Sequence, residues 1–380
     1  MNVAPAPLPL DGVVVVDTSR MLPGAVLART LLDLGARVIK VEDPRAGDMM
    51  RITPPFAGGV GVGFAVYLRG AESVAFDLRT ADGAAALRHL VGAADVMVES
   101  FRPGTLERWG LGLEGLRAAT PRLITVSLPG YPSGDEVGHD LNFTAQSGLL
   151  DRLQGPGIPA VQLADVTAGT LAATSILAAL LRRARTGEGQ HITQSLAQAP
   201  LHFLTWLWAE ANAGETPMVQ LLLGGRCPCY RTYRCGDGLA LAVGCLEPKF
   251  WISLCQLLGV PELASVGLDL GPAGEAAAAR VEALLGGAAR EHWLGLLAPH
   301  NLPVSAVHDL AAAVREPRFI ADGVLEATPL PDGTTVTAPG PSLGSVGRTP
   351  AAPAPTLGQH TRAALERAGA PADLIARLGA

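Results

Sequence analysis

The stretch GVVVVDTSRMLPGAVLARTLLDLGARVIKVE, residues 12–42, decides the fold. Its opening, GVVVVDT at 12–18, is a continuous β-branched run. Such a run suits a strand covered on both faces, as in a parallel sheet. A turn at Leu22-Pro23-Gly24 leads into an amphipathic stretch, 25–34, that Gly35 stops. RVIKVE at 37–42 is then a second strand, and the three pieces make a βαβ unit.

The unit repeats outward in looser form. Residues 73–78, 96–100 and 123–128 read as further strands, with helices at 82–92 and 105–117. The expectation is a doubly wound α/β sheet. Helices then dominate, at 143–150, 165–185 and 192–213. TGEGQH ends the second of these after a basic last turn of Arg182, Arg183 and Arg185. Composition changes near Gly224. Residues 231–234 and 239–243 flank the turn Gly236-Asp237-Gly238, a hairpin signal, and helices follow at 248–258, 275–285 and 290–297. A second, smaller α+β domain is expected there, completed by 303–307 and 309–315. The Pro-rich 349–355 reads as a linker, and the tail 358–378 carries two short helical patterns.

The chain has 380 residues, 48% of them apolar, which suits two domains or one elaborated α/β unit with a substantial core. Its net charge of −6 and lack of a basic tract give no electrostatic case for nucleic acid. Lysine occurs only at Lys40 and Lys249. Cys227, Cys229, Cys235, Cys245 and Cys255 lie in one region without a CxxC pair or a histidine at zinc-ligand spacing. They read as buried thiols in a reducing compartment, and no metal site is expected. The start, MNVAPAPLPLDG, lacks signal-peptide character, and the apolar stretch 168–181 is too short to span a bilayer. A cytoplasmic protein without a membrane partner is expected.

A sheet of this kind invites a nucleotide. However, SRMLPGAV follows the first strand instead of GxGxxG, which disfavours NAD, and no P-loop phrase occurs. The GxSxG at 340–344 sits in a Pro-rich loop with no helical pattern after it, unlike a hydrolase elbow.

Proton-transfer chemistry has better candidates. VGHDLNFTAQSGLL at 137–150 sets His139 beside Asp140 ahead of a helix. Asp165 in QLADVTAGT and Glu247 in GCLEPKF precede two more. Each of these also reads as a charge or cap at a helix start, and spacing alone does not bring them together.

The chain resembles the family III CoA-transferase and α-methylacyl-CoA racemase superfamily from end to end. The matching phrases are LLDLGARVIKVEDPRAGD, SVAFDLRT, VESFRPGTLERWGLG, GHDLNFTAQSGLL, the LAD at 163–165, ARTGEGQH, PCYRTYRCGDG and PTLGQHT. The resemblance implies a Rossmann-like large domain at 1–190, a linker helix at 191–225, a small domain at 226–325 and a return to the large domain at 326–380. It also implies an interlocked homodimer, an acyl-CoA thioester substrate and no permanently bound cofactor, with coenzyme A arriving as part of the substrate.

In the racemases, the residues matching His139 and Asp165 flank the α-carbon and exchange its proton through an enolate. The backbone N–H of Asp140 would hold the enolate oxygen, and Glu247 from the other subunit would orient the imidazole. In the transferases, the aspartate matching Asp165 attacks the thioester to form a mixed anhydride, and CoA passes on as an enzyme-bound thioester. GHDLNF and EPKF favour the racemase branch, whereas Arg20 in the first βα turn is common among transferases. A catalytically silent acyl-CoA-binding dimer is a third reading.

CoA is expected on the first βα loops, at Arg20, Arg45, Leu68, Arg69, Gly70, Ala71, Phe101, Arg102 and Arg108. Arg69, Arg102 and Arg108 each read equally as exposed solubilising residues, and Arg45 is expected to compensate for Asp43. Three departures stand out: Ala71 replaces the usual lysine, Asp43 sits where a cation is common, and GYPSGDE at 130–136 lacks the usual glutamine. LHFLTWLW at 201–208 and the apolar 219–223 suit an acyl site or contacts between the two chains.

Overall fold

The opening stretch forms β1 (Val14–Asp17), α1 (Met21–Asp33) and β2 (Arg37–Glu42) in the computed structural model. The structure describes residues 7–132, 136–153, 158–214, 218–340, 349 and 352–379. Residues 133–135 of GYPSGDE, the GxSxG phrase beyond Gly340 and part of the Pro-rich linker fall outside them. The helix begins earlier than the turn residues suggested, with Pro23 inside its first turn. The first-turn N–H groups have no intrahelical acceptor, so a proline there forfeits no bond.

The chain continues through α2 (Val62–Tyr67), β3 (Glu72–Ala75), α3 (Ala81–Gly92) and β4 (Val96–Glu99). The expected helix at 105–117 is two short ones, α4 (Thr105–Arg108) and α5 (Leu113–Ala119), because Gly110 turns the backbone left-handed between them. β5 (Ile124–Ser127), α6 (Asp140–Gln146) and α7 (Leu149–Arg152) follow, the last two parted by a left-handed Gly148. Then come α8 (Leu163–Thr186), β6 (His191–Thr193) and α9 (Leu201–Asn212).

β6 corrects the reading of 192–213 as one helix. Its three residues pair with Thr125, Val126 and Ser127 of β5, and three residues are too few to display a strand period. Gly189 permits this, since a Cβ there would lie 2.0 Å from the Leu123 carbonyl oxygen.

All five ladders are parallel, in the order β3-β2-β1-β4-β5-β6. Strand order therefore reverses between β1 and β4, and that reversal opens a crevice beyond the carboxyl ends of the strands. Alternation assigns the two faces. Val15, Val38, Val98 and Val126 pack with Leu27, Leu31 and Ile176 of α1 and α8. Val16, Ile39, Met97, Leu87 and Leu90 pack on the other face with Leu365 and Ile375 from the tail. Val15 and Val16 are both fully buried. Burying such a side chain contributes about 1.5–3 kcal/mol, before the entropy of ordering it.

Helix α8 passes close against α1: a Cβ on Gly169 would lie 2.5 Å from the Pro23 carbonyl oxygen. Its 24 residues make it long and apolar enough to cross a membrane by length and composition, longer than the apolar stretch 168–181. Of its last-turn arginines, Arg183 is buried and pairs with Asp95 at 2.8 Å, in addition to complementing the helix dipole.

Two units are present, 1–202 with 318–380 and 203–317, where the sequence drew boundaries at 225/226 and 325/326. The second unit holds an antiparallel sheet of β7 (Tyr230–Arg234), β8 (Ala240–Gly244) and β9 (Val304–Ala306), in the order β9-β8-β7. Helices Pro248–Leu257, Pro272–Leu285 and Arg290–Leu297 accompany it. All five cysteines are free and buried in its core beside Tyr233 and Trp251. Burial pushes the thiols of Cys229 and Cys245 up to about 12, which keeps them protonated and inert.

The tail returns to the first unit as Thr361–Arg367 and Ala372–Arg377. It covers the outer edge of β3. His360 N–H donates to the Ser73 carbonyl at 2.8 Å, Ser73 N–H donates to His360 Nδ1 at 3.1 Å, and Ala75 N–H donates to Thr361 Oγ1 at 3.0 Å. The phrase GQHT is thus an edge seal.

Candidate active site

His139 is the N-cap of α6, with extended backbone, and its N–H donates to Asn142 Oδ1 at 3.0 Å. Its side chain stays exposed. Gly138 and Gly130 make room for Phe143, whose ring would lie 2.6 Å and 3.2 Å from Cβ atoms at those positions. This packing sets the angle at which the chain enters α6. Asp140 opens the helix, and its carboxylate does something the sequence did not reveal. Its Oδ1 accepts the backbone N–H of Asp165 at 3.0 Å, tying the start of α6 to the start of α8. The backbone N–H groups of Asp140 and Leu141 have no hydrogen-bond partner among the described residues.

Asp165 lies in the first turn of α8, half-buried, beside this tether. Burial, reinforced by the neighbouring Asp140 carboxylate, pushes its carboxyl up to about 6, and His139 offsets this in part. The three residues form one electrostatic cluster. A carboxyl with a pKa of about 6 can exchange a proton near neutral pH or, once ionised, act as a nucleophile.

The crevice at the β1/β4 reversal has a volume of about 510 Å3. Arg20, Phe101 and Arg102 line it, as do Asp43, Asp77, Arg79 and Trp109. The Arg20 N–H donates to Ser100 Oγ at 2.9 Å, and its guanidinium lies 5.3 Å from the centroid of the Phe101 ring. Phe101 in turn meets Trp109 edge-on at 5.2 Å. Arg45 pairs with Asp43 of the crevice wall at 3.3 Å. Arg108 is exposed and donates to Thr105 Oγ1 at 2.9 Å.

Beneath the crevice lies a network that sequence reasoning missed. Lys40 is 1% exposed, and its ammonium donates to Asp17 Oδ2 at 3.1 Å and to the Ser19 carbonyl at 2.6 Å. It also pairs with Asp48 at 3.2 Å. Burial pulls its pKa down, but Asp17 and Asp48 outweigh that and hold it raised, so the ammonium stays charged. Ser19 is fixed further by Asp17, which accepts its N–H at 2.8 Å. Gly24 is required here, because a Cβ would lie 1.7 Å from Ser19 Oγ. The network shapes both rims of the crevice, the first βα turn and the loop after β2. A useful signal was available: Lys40 is one of only two lysines.

The 68–71 segment stands apart from the crevice. Leu68 and Ala71 are core residues, 0% and 4% exposed. Arg69 is 2% exposed and pairs with Asp33 at 2.6 Å and Glu326 at 2.9 Å. Reading Arg69 as a cation for a ligand phosphate is therefore corrected, because its charge is engaged inside the fold. Gly70 is left-handed, and its N–H donates to the Pro353 carbonyl at 3.2 Å. Glu72, beside Ala71, pairs with Arg37 and Arg367.

Glu247 is the exposed N-cap residue of Pro248–Leu257 in the second unit, and its side chain makes no cap bond. A further cavity of about 570 Å3 lies across the loop 101–104, lined by Glu99, Arg117 and His191. His139 and Asp165 line neither cavity. Among the described residues, no group of three or more His, Cys, Asp or Glu is placed to hold a metal ion.

The family model for CoA-transferase family III matches residues 10–361. Human alpha-methylacyl-CoA racemase is 36% identical over 263 residues, covering 66% of this chain and 65% of its own length. The acetyl-CoA:oxalate CoA-transferase of Acetobacter aceti is 31% identical over 335 residues, covering 83% of this chain and 85% of its own. A CAIB/BAIF family protein from Brucella suis superposes with a TM-score of 0.81 at 30% identity, over 95% of this chain and 99% of that one.

Proposed function

This chain belongs to CoA-transferase family III, and from that premise we propose that it epimerises the carbon next to an acyl-CoA thioester through His139 and Asp165. The observation that carries the reading is the Asp165 carboxyl. It is pushed up to about 6, next to an exposed imidazole at the start of α6. An acid–base pair works best when its pKa values sit near the operating pH.

One member of the pair takes the α-proton, and the electrons of the C–H bond move into an enolate. The other member, arriving protonated, returns a proton to the opposite face. The N–H of Asp140 supplies a donor for the enolate oxygen. Glu247, arriving from the second subunit of an interlocked homodimer, holds the imidazole in place. Coenzyme A enters only as part of the substrate, its nucleotide end at Arg20, Phe101 and Arg102. A cytoplasmic setting suits the five free thiols.

The test is deuterium uptake from heavy water into the α-position of a 2-methylacyl-CoA. Uptake is expected in the wild type and absent in His139→Ala. Undiminished uptake in that variant removes the imidazole from the mechanism.

A second reading is CoA transfer through an Asp165 anhydride. It is favoured by Arg20 on the crevice wall and by a transferase relative that spans 83% of the chain. Hydroxylamine trapping with a competent donor and acceptor would mark Asp165 in that case. An unmarked Asp165 during turnover rules it out.

A further inference from the structure

The two sides of the crevice differ in charge. On the β1/β4 side, the guanidinium groups of Arg20 and Arg102 have no carboxylate partner among the described residues. On the β2/β3 side every cation is already held. Arg79 is bidentate on Asp77, at 2.7 and 2.6 Å, and lies 3.9 Å from Asp43. Arg45 pairs with Asp43 at 3.3 and 3.4 Å. Two arginines face two carboxylates there, and the quartet is neutral. Hydrogen bonds from Arg45 and Arg79 lower the pKa of Asp43 and Asp77, the latter to about 2, so both stay ionised at any working pH.

Position gives this quartet a meaning. Asp43 directly follows β2 in a sheet whose order reverses at β1. In such sheets an acid after the second strand accepts hydrogen bonds from ribose hydroxyls, and an unengaged arginine there is what accommodates a ribose phosphate. A ribose phosphate placed here would meet two ionised carboxylates and two occupied guanidiniums. A diphosphate on the other side would meet two open ones.

We propose that Asp43 and Asp77 make this crevice select a nucleotide handle whose ribose bears free hydroxyls, so that a thioester of 3′-dephospho-CoA is bound at least as well as the CoA thioester. The inference rests on the acyl-CoA reading above and deepens it by naming the carrier.

Isothermal titration calorimetry at low salt, with CoA and 3′-dephospho-CoA as probes, tests it. The two are expected to bind equally, or dephospho-CoA more tightly. A preference for CoA above about twofold overturns the inference and leaves the acyl-CoA reading standing. Binding of neither overturns both. The paired substitution Asp43→Asn and Asp77→Asn removes both negative charges and releases Arg45 and Arg79. It is expected to shift the ratio of dissociation constants toward CoA by about tenfold. An unmoved ratio overturns the assignment to these two residues.

Discussion

Two clusters in the first unit, one buried and one half-buried, each bring two acids together and treat them in opposite ways. At the head of the sheet, Asp17 and Asp48 converge on Lys40, and the buried ammonium bridges both carboxylates. At the start of α8, Asp165 and Asp140 converge with only an exposed imidazole to answer them, and Asp165 is left with a carboxyl pushed up to about 6. The first arrangement is scaffolding: its charges fix two loops and are unavailable to anything else. The second leaves Asp165 without an ion-pair partner among the described residues and with a raised pKa, the kind of perturbation that clusters at functional sites.

The largest expected effect comes from removing that acid. Asp165→Ala should lower turnover by about a thousandfold or more, read as α-deuterium exchange or CoA transfer. Retention of a tenth of the wild-type rate would break the contrast. Lys40→Met tests the other side. It leaves Asp17 and Asp48 buried together without a cation, which should cost about 3–5 kcal/mol in urea unfolding. A loss below about 1 kcal/mol would mean that the network is not the scaffold described.

Asp140→Asn should sharpen the comparison, because the amide oxygen can still accept the Asp165 N–H while the like charge disappears. Asp165 would then titrate lower, and the acidic limb of the pH–rate profile should move down by about half to one unit. An unmoved limb would leave burial alone as the cause.

The smallest effect is on stability. The folded pKa of about 6 lies above the ordinary 3.8, so the folded chain holds this proton more tightly than the unfolded one. Stability from this group therefore falls as pH rises from about 4 to about 6, and stays lower above that. Asp165→Asn, though inactive, should be more stable than wild type by about 1 kcal/mol at pH 8 after allowance for solvent screening, with no gain below about pH 4.

The sheet was legible because its strands are β-branched runs closed by turn residues, and β2 lies at 37–42 as read. β6 was not, because a three-residue strand at 191–193 has no period to display. Proline and glycine punctuation misled at α1, where Pro23 sits inside the helix. The family phrases named His139, Asp140 and Asp165, but not how they are joined. The bond from Asp165 N–H to the Asp140 side chain spans 25 residues and leaves no local pattern. Arg69 failed for a related reason. An arginine beside a left-handed glycine looks exposed in sequence, and only the folded chain brings Asp33 and Glu326 to it.

The seal on β3 bears on how the chain is made. Ser73 and His360 are 287 positions apart, and all of residues 203–317 is translated between them. At ribosomal speeds of about 5–20 residues per second, the open edge of β3 waits on the order of 15–60 s for its cover. During that interval a nascent chain carries a finished hydrophobic sheet with one raw border, the kind of surface on which neighbouring chains on a polysome stick to one another. Slow codons before the tail, or a shortage of holding chaperones, should therefore reduce the yield of folded protein far more than slow codons after residue 361.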